Sequence, residues 1–356
     1  MERAIKSIIK KPITLQCLLS QCSIDSRKSM LLLSLPIIVF IFSFPIGQYP
    51  ISLEQLIKIL ISKVVPIEHT WPATLDIVVF QIRLPRIIAA MLVGLALSTS
   101  GAVYQGMFKN PLVSPDILGA SAGSAFGAAL AIYFSFGILG IQVMSFLFGL
   151  TAVFLTYVIS NKIRHDAILT LVMAGIVVGT LFSSGTSLIK YIADPFDKLP
   201  AITFWLMGSL SSINSRDVYI SIIPIFAGLI PLYLLRWHLN VLSLGEEEAR
   251  ALGVDTSRLR LLVILCSTLM TASAVSISGI IGWIGLIIPH LARMLTGPNY
   301  KDLLPASIFI GSSYLLLVDD IARGLASAEI PLGIITSLVG APFFIYLLSK
   351  TPRRWT

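Results

Sequence analysis

The stretch Gln81-Ile-Arg-Leu-Pro-Arg86 places two guanidinium groups, Arg83 and Arg86, at the lip of a long apolar run. A third, Arg323, follows Asp319 and Asp320 by four and three residues in the segment DDIAR. Guanidinium forks bind carboxylates through two parallel hydrogen bonds, so Arg83, Arg86 and Arg323 are candidates for holding an acidic partner. Two plainer uses compete. Asp319 and Asp320 are spaced to pair with Arg323 on one helix face, and long basic side chains at an apolar border can snorkel toward water. Acids inside apolar helices otherwise mark proton or ion paths, but an arginine one turn away favours the local pair.

Other chemistries find no support in the residue spacing. The histidines, His69, His165, His238 and His290, are far apart and form no paired-ligand motif. Cys17 and Cys22 have four residues between them, which is no common metal or redox spacing, and Cys266 sits in an apolar run. No GxSxG elbow occurs. No GxxxxGK[ST] loop occurs either, so this chain is not expected to cradle nucleotide phosphates. The sequence predicts no catalytic residue, no metal site and no cofactor in this chain.

Those residues must be positioned by helices in a bilayer. Of 356 residues, 56% are hydrophobic and only 12% are charged, about half the charge of an ordinary soluble domain. The net charge of +8 fits loops facing an anionic leaflet. No basic patch interleaved with aromatics accompanies it, so nucleic acid is not an expected partner. A spanning helix needs about 20 apolar residues, and ten candidates occur: 30–48, 86–105, 116–134, 138–160, 167–191, 218–237, 259–278, a short Gly-interrupted 281–295, 303–323 and 331–350. Segments 51–65 and 202–210 are too short and read as surface helices. Residues 1–29 form a polar, basic tail, 30–350 one transmembrane domain, and 351–356 a second tail. The first apolar run has no small-residue cleavage site after it and reads as a retained span. With both termini in the cytoplasm, most of the 26 Lys and Arg fall inside, as the positive-inside rule asks. Arg83, Arg86 and Arg323 are then outside charges that need a reason. Small-residue runs such as GLALSTSGA and GASAGSAFGAA suit close helix packing.

The inside loop 239–258 has content. Gly245 breaks the chain, Glu246, Glu247 and Glu248 open a short helix at its positive end, Arg250 follows, and Gly253 stops it. A capped helix in a cytoplasmic loop suggests a docking surface, although an interfacial helix without a partner has the same pattern.

These residues carry a family resemblance. GEEEARALGV resembles the coupling loop of the FecCD family, the membrane permeases of importers for ferric siderophores, haem and vitamin B12. QIRLPRIIAAMLVGLALSTSGAVYQGMFKNPLVSPDILG, SGIIGWIGLIIPHLAR and the segment 303–348 are similar to its other signatures, in family order. The resemblance covers roughly residues 75–350. It implies an all-α integral membrane fold of ten helices per subunit, like the vitamin B12 importer (type II). It implies a dimer with itself or a close relative, two ATP-binding cassette subunits that carry ATP and magnesium, and an extracytoplasmic solute-binding protein, all in a prokaryotic plasma membrane. Gly245, Glu246, Glu247, Glu248, Ala249, Arg250, Ala251, Leu252, Gly253 and Val254 then form the element that sits in a cleft of the ATPase. Arg83, Arg86 and Arg323 match positions that dock the binding protein. Ala167 and Ile168, at the inner start of the fifth helix, match the cytoplasmic gate. The turn Lys109–Gly119 is scaffold stiffened by Pro111 and Pro115. The expected cargo is a bulky metal chelate, a ferric siderophore first, with haem, corrinoid and oxyanion as alternatives. An ion-coupled secondary transporter is the reading from another class; the intramembrane acids it would need are nearly absent.

Overall fold

The computed structural model describes residues 26–49, 51–62, 71–163, 167–325 and 329–350, with the side chains of 26–29, 246 and 347–350 left aside. Cys17, Cys22, His69, His165, residues 1–25 and the C-terminal tail 351–356 lie outside them, whereas residues 26–29 of the expected N-terminal tail begin the first helix. The described residues form helices and turns, with no strand among them.

The order is α1 (Ser26–Ser43), α2 (Leu53–Ile61), α3 (Ala73–Ile77), a π-helical turn (Val78–Arg83), α4 (Leu84–Met107), a 3₁₀ turn (Pro115–Leu118), α5 (Ala120–Tyr133) and α6 (Ile138–Lys162). Then follow α7 (Ala167–Ile192), α8 (Lys198–Leu206), α9 (Ser215–Leu234), α10 (Arg236–Leu244), α11 (Glu246–Ala251), α12 (Thr256–Ser278), α13 (Ile284–Thr296), α14 (Tyr300–Gly324) and α15 (Leu332–Lys350). Six of the described helices are long and apolar enough to cross a membrane, and four shorter apolar helices fall where the sequence places the remaining spans.

Several boundaries differ from expectation. The second span does not start at residue 86; it runs as one rod from Ala73 to Met107. The cause is how the chain passes Pro85. Proline lacks the N–H that an α-helix would send back one turn, and the π-helical turn before it absorbs the defect, with Leu84 N donating to Val79 O. The third span starts at Ala120, not 116, because Pro115 opens a 3₁₀ turn and Gly119 adopts φ +84°. The segment expected at 202–210 forms as α8 from Lys198 to Leu206, and Gly208 at φ +74° ends it. It is also less of a surface helix than expected, since Ile202 is fully buried. Helix α2 matches expectation, with a Ser52–Gln55 capping box and Leu56 and Ile59 turned inward.

Helix α4 is the hub, nearly all buried, with α9, α10, α12, α13 and α14 packed on it. Glycines permit this. A Cβ on Gly94 would lie 2.2 Å from Gly311 O, and one on Gly101 would lie 2.0 Å from Gly285 O. The backbones of α4, α13 and α14 therefore touch directly, as small-residue membrane interfaces do. Helices α6 and α7 keep most of their apolar surface outside the core.

Candidate functional site

Three regions carry the predicted residues. At one end of α4, the loop 239–258 forms α10 and α11 joined at Gly245. Gly245 has φ +147°, and a Cβ there would meet Glu248 Oε2 at 2.2 Å and Lys109 Nζ at 2.7 Å. Ala249 N donates to Gly245 O at 2.9 Å, starting the six-residue helix Glu246–Ala251. At its other end Gly253 N donates to Arg250 O at 2.9 Å and Val254 N to Ala249 O at 3.0 Å, with Gly253 at φ +78°. That pair of bonds is a Schellman C-cap. Ala249 and Val254 are buried and fix the helix to the body, whereas Glu247, Glu248, Arg250, Ala251, Leu252 and Gly253 are exposed. Leu244 and Leu252 are each 59% exposed. The element thus offers acid, base and two large apolar side chains on a rigid protrusion.

The protrusion is wired to the rods beneath it. Lys109 Nζ donates to Leu244 O at 2.7 Å. Asn240 Nδ2 donates to Asn299 Oδ1 at 2.8 Å, and Tyr300 N to Asn240 Oδ1 at 2.7 Å. Tyr300 Oη donates to Ala102 O at 2.6 Å. Helices α4 and α14 are therefore both bonded, through side chains, to the base of α10–α11.

At the opposite end of α4, 24 residues or about 36 Å away at 1.5 Å per residue, lie the three arginines. Their forks are turned into the protein rather than presented to solvent. Arg83, Arg86 and Arg323 are 4%, 5% and 4% exposed. Arg86 grips Asp319 with Nε at 2.9 and 3.1 Å and Nη2 at 2.8 Å, and its Nη1 donates to Glu329 Oε1 at 2.8 Å. Arg323 pairs with Asp320 and places Nε 3.2 Å from Asp319 Oδ2, an ion pair without hydrogen-bond alignment. Arg323 Nη2 also donates to Ser43 O at 3.1 Å, and Ser43 Oγ to Asp320 Oδ1 at 2.5 Å. Arg83 donates to the carbonyls of Phe44 and Tyr49. The acids are buried too, Asp319 fully, whereas Glu329 keeps 32% of its side chain exposed. Arg86 and Arg323 pair with Asp319, Asp320 and Glu329, while Arg83 rests on backbone carbonyls, so three cations and three acids balance across the region. The local pairing of Asp319 and Asp320 with Arg323 is as the spacing predicts; the long-range grip of Arg86 on Asp319 is not legible in it.

The third region is a groove of about 590 Å³ along α7. Thr180, Ser183, Ser184 and Ser187 line it and are exposed. Their spacing puts the hydroxyls on one helix face, a signal the sequence reading passed over. The 3₁₀ turn closes one side: a Cβ on Gly175 would lie 2.2 Å from Ile117 O. Ala167 and Ile168 form the first turn of α7, the former exposed and the latter packed on the core. Cys266 is free and buried, and no metal-ligand cluster occurs among the described residues.

The profile of the FecCD transport family matches residues 35–350. The molybdate import system permease protein of Haemophilus influenzae is 45% identical over 317 residues, which covers 89% of this chain and 94% of that one. A Helicobacter pylori protein named as an iron chelatin transport system permease is 42% identical over 279 residues, or 78% and 84% of the two chains. A solved structure described as an inward-facing metal-chelate type ABC transporter superposes with a TM-score of 0.82 at 43% identity, covering 90% of this chain and 98% of the other.

Proposed function

The chain belongs to the FecCD transport family, and on that premise we propose that it is the permease subunit of an ATP-driven importer of metal species. It pairs with a second copy of itself or a close paralogue. Two ATP-binding cassette subunits dock at the α11 end, on the cytoplasmic side with both termini, and hold ATP and magnesium. A solute-binding protein delivers cargo at the arginine end. The observation that carries this reading is α11: a short helix fixed at both ends by glycines, exposed, and bonded at its base to the two central rods.

The geometry suggests how force would travel. Closure of the cassette subunits moves α11. Lys109 and Asn240 pass that motion to α4 and α14, which touch through Gly94 and Gly311 and so shift together. Their far ends are clamped to each other by Arg86 and Asp319. A push at one face therefore reaches the other as a tilt of one rigid pair, and α7, with its exposed face, borders the path that opens. Ala167 and Ile168 are the proposed inner gate of that path.

Docking of the binding protein is proposed in an altered form. The arginines hold the outer ends of α1, α4 and α14 in place. Glu329, the most exposed member of the cluster, marks where a carboxylate of the binding protein would compete for Arg86.

The proposed cargo is a ferric chelate. A molybdate oxyanion is the second reading, favoured by the 45% identity to a molybdate permease. The hydroxyl face of α7 offers neutral donors and acceptors, which suits weak contact with a hydrophilic metal species in transit. Reconstituted vesicles with the cassette and binding subunits test both. Uptake of a ferric chelate without molybdate supports the first, the reverse supports the second, and uptake of neither overturns both.

A further inference from the structure

A second cavity, of about 230 Å³, lies where the α11-side ends of α4, α10, α13 and α14 meet. Gln105, Lys109, Asn110, Ser243, Arg293 and Tyr300 line it. Two of these are cations, and no carboxylate is among the described residues that line it. Arg293 Nη2 donates to Gln105 Oε1 at 3.1 Å. Arg293 Nη1 is shielded from solvent and has no aligned hydrogen-bond partner among the described residues. The Tyr300 oxygen lies beside the guanidinium as an acceptor, while its own proton goes to Ala102 O. Lys109 uses one of its three donors on Leu244 O and sits at φ +48° as the left-handed residue of the Schellman cap that ends α4, with Asn110 N donating to Gln105 O at 3.1 Å.

Arg293 thus keeps one shielded N–H with no aligned bond, the Tyr300 oxygen beside it being the one acceptor at hand. An occupant with oxygen acceptors would satisfy that N–H better. Arg293 and Lys109 line the cavity with no carboxylate among its described lining residues, Glu248 reaching only the Gly245 side of Lys109; with Gln105, Asn110 and Ser243 adding neutral polar groups, the lining suits an anion. We propose that this cavity binds a tetrahedral oxyanion of the phosphate class, with Arg293 Nη1 and Lys109 Nζ as its charged donors. Ser243 lies two residues before Gly245, so the occupant ties α10 to the end of α4 and to the turn before α14. It braces the coupling element; that consequence rests on the coupling reading, whereas the binding does not.

Inorganic phosphate and the headgroup of an acidic lipid share this chemistry. The test uses the full chain, purified in neutral detergent, with inorganic phosphate titrated at an ionic strength held constant with chloride. Thermal unfolding and phosphorus NMR line width are read. The proposal expects saturable stabilisation, with affinity weakened at least about tenfold in Lys109→Gln and in Arg293→Gln, as loss of a charge-assisted bond implies. A second arm places the chain in nanodiscs of phosphatidylcholine alone or with phosphatidylglycerol. A response to free phosphate in both identifies a soluble anion. A response only to phosphatidylglycerol, lost in Lys109→Gln, identifies a headgroup. Lys109→Gln changes a side chain at the helix end and keeps the test valid should Arg293→Gln fail to fold. Identical behaviour of parent and Lys109→Gln in every arm means a cavity filled by water only, and overturns the proposal. Neither arm involves ATP turnover, so a failed coupling assignment leaves this result standing.

Discussion

Asp319→Asn is the sharpest probe of the arginine cluster. The side chain is fully buried and accepts three hydrogen bonds from Arg86, with Arg323 Nε at 3.2 Å. The amide keeps the shape but removes the charge. Arg86 and Arg323 then pair only with Glu329 and Asp320, and the region, Arg83 included, carries one uncompensated positive charge. Breaking a buried pair by removing one partner costs about 3–5 kcal/mol, or between a hundredfold and several thousandfold in the unfolding equilibrium. Glu329→Gln is the internal control. It also removes one negative charge from Arg86, but Glu329 is 32% exposed and its gap is open to water. Its cost is expected near the 0–1 kcal/mol of a solvent-screened pair. A third variant, Asp319→Leu with Arg86→Met, removes both main partners and leaves Arg323 with Asp320. Apolar replacement of a whole buried pair is often neutral, so it should recover most of the loss. The assay is denaturant unfolding of the detergent-purified chain, followed by tryptophan fluorescence. A loss in Asp319→Asn below about 1 kcal/mol, no larger than in Glu329→Gln, would refute the argument that this network is buried and mutually dependent.

Further outcomes follow from the same geometry. Gly245→Val puts a branched side chain at φ +147° and within 2.2 Å of Glu248 Oε2; it should abolish stimulation of the cassette ATPase while the unfolding midpoint of the chain stays near the parent value. Gly94→Val forces apart the α4–α14 contact at 2.2 Å from Gly311 O and should cost several kcal/mol by overpacking, about 1–3 or more, seen as loss of folded yield. Cysteines placed at Ser183 and Ser187 should react with a water-soluble maleimide, and cargo should protect them; equal labelling with and without cargo removes α7 from the path. His238, in α10, has its pKa lowered by burial. The unfolded chain therefore takes up a proton first as pH falls below the free value of about 6.5, so stability is lost from there down through the lower folded value. His238→Phe should flatten that acid limb in a pH series of unfolding midpoints.

The sequence shows most plainly what is local. Hydropathy locates the six long apolar helices and the four shorter ones because each is written in consecutive residues. The capped helix α11 is equally legible: Gly245, the acid triplet and Gly253 lie within one stretch, and each acts on its immediate neighbours. Asp319 and Asp320 one turn from Arg323 are local too. The fate of Arg83 and Arg86 is not. Asp319 is 233 residues from Arg86, and the acceptors of Arg83 are backbone carbonyls, which no residue type announces. An arginine at the edge of an apolar run reads the same whether it faces water or a buried acid on another helix. The start of α3 was hidden for a related reason. Pro85 looks like a helix boundary, and only a π-helical turn lets the rod continue through it. The cavity at Arg293 draws on four separate chain segments, so its assembly is visible only in three dimensions.

The account turns on α11 as the point where ATP hydrolysis enters this chain. The most direct measurement reconstitutes the permease with its cassette and binding subunits and replaces residues 246–251 with a Gly-Ser segment of equal length. ATP turnover is recorded with and without cargo-loaded binding protein. Stimulation is expected to disappear while the loaded binding protein still associates at the arginine end. Stimulation equal to the parent's would contradict it.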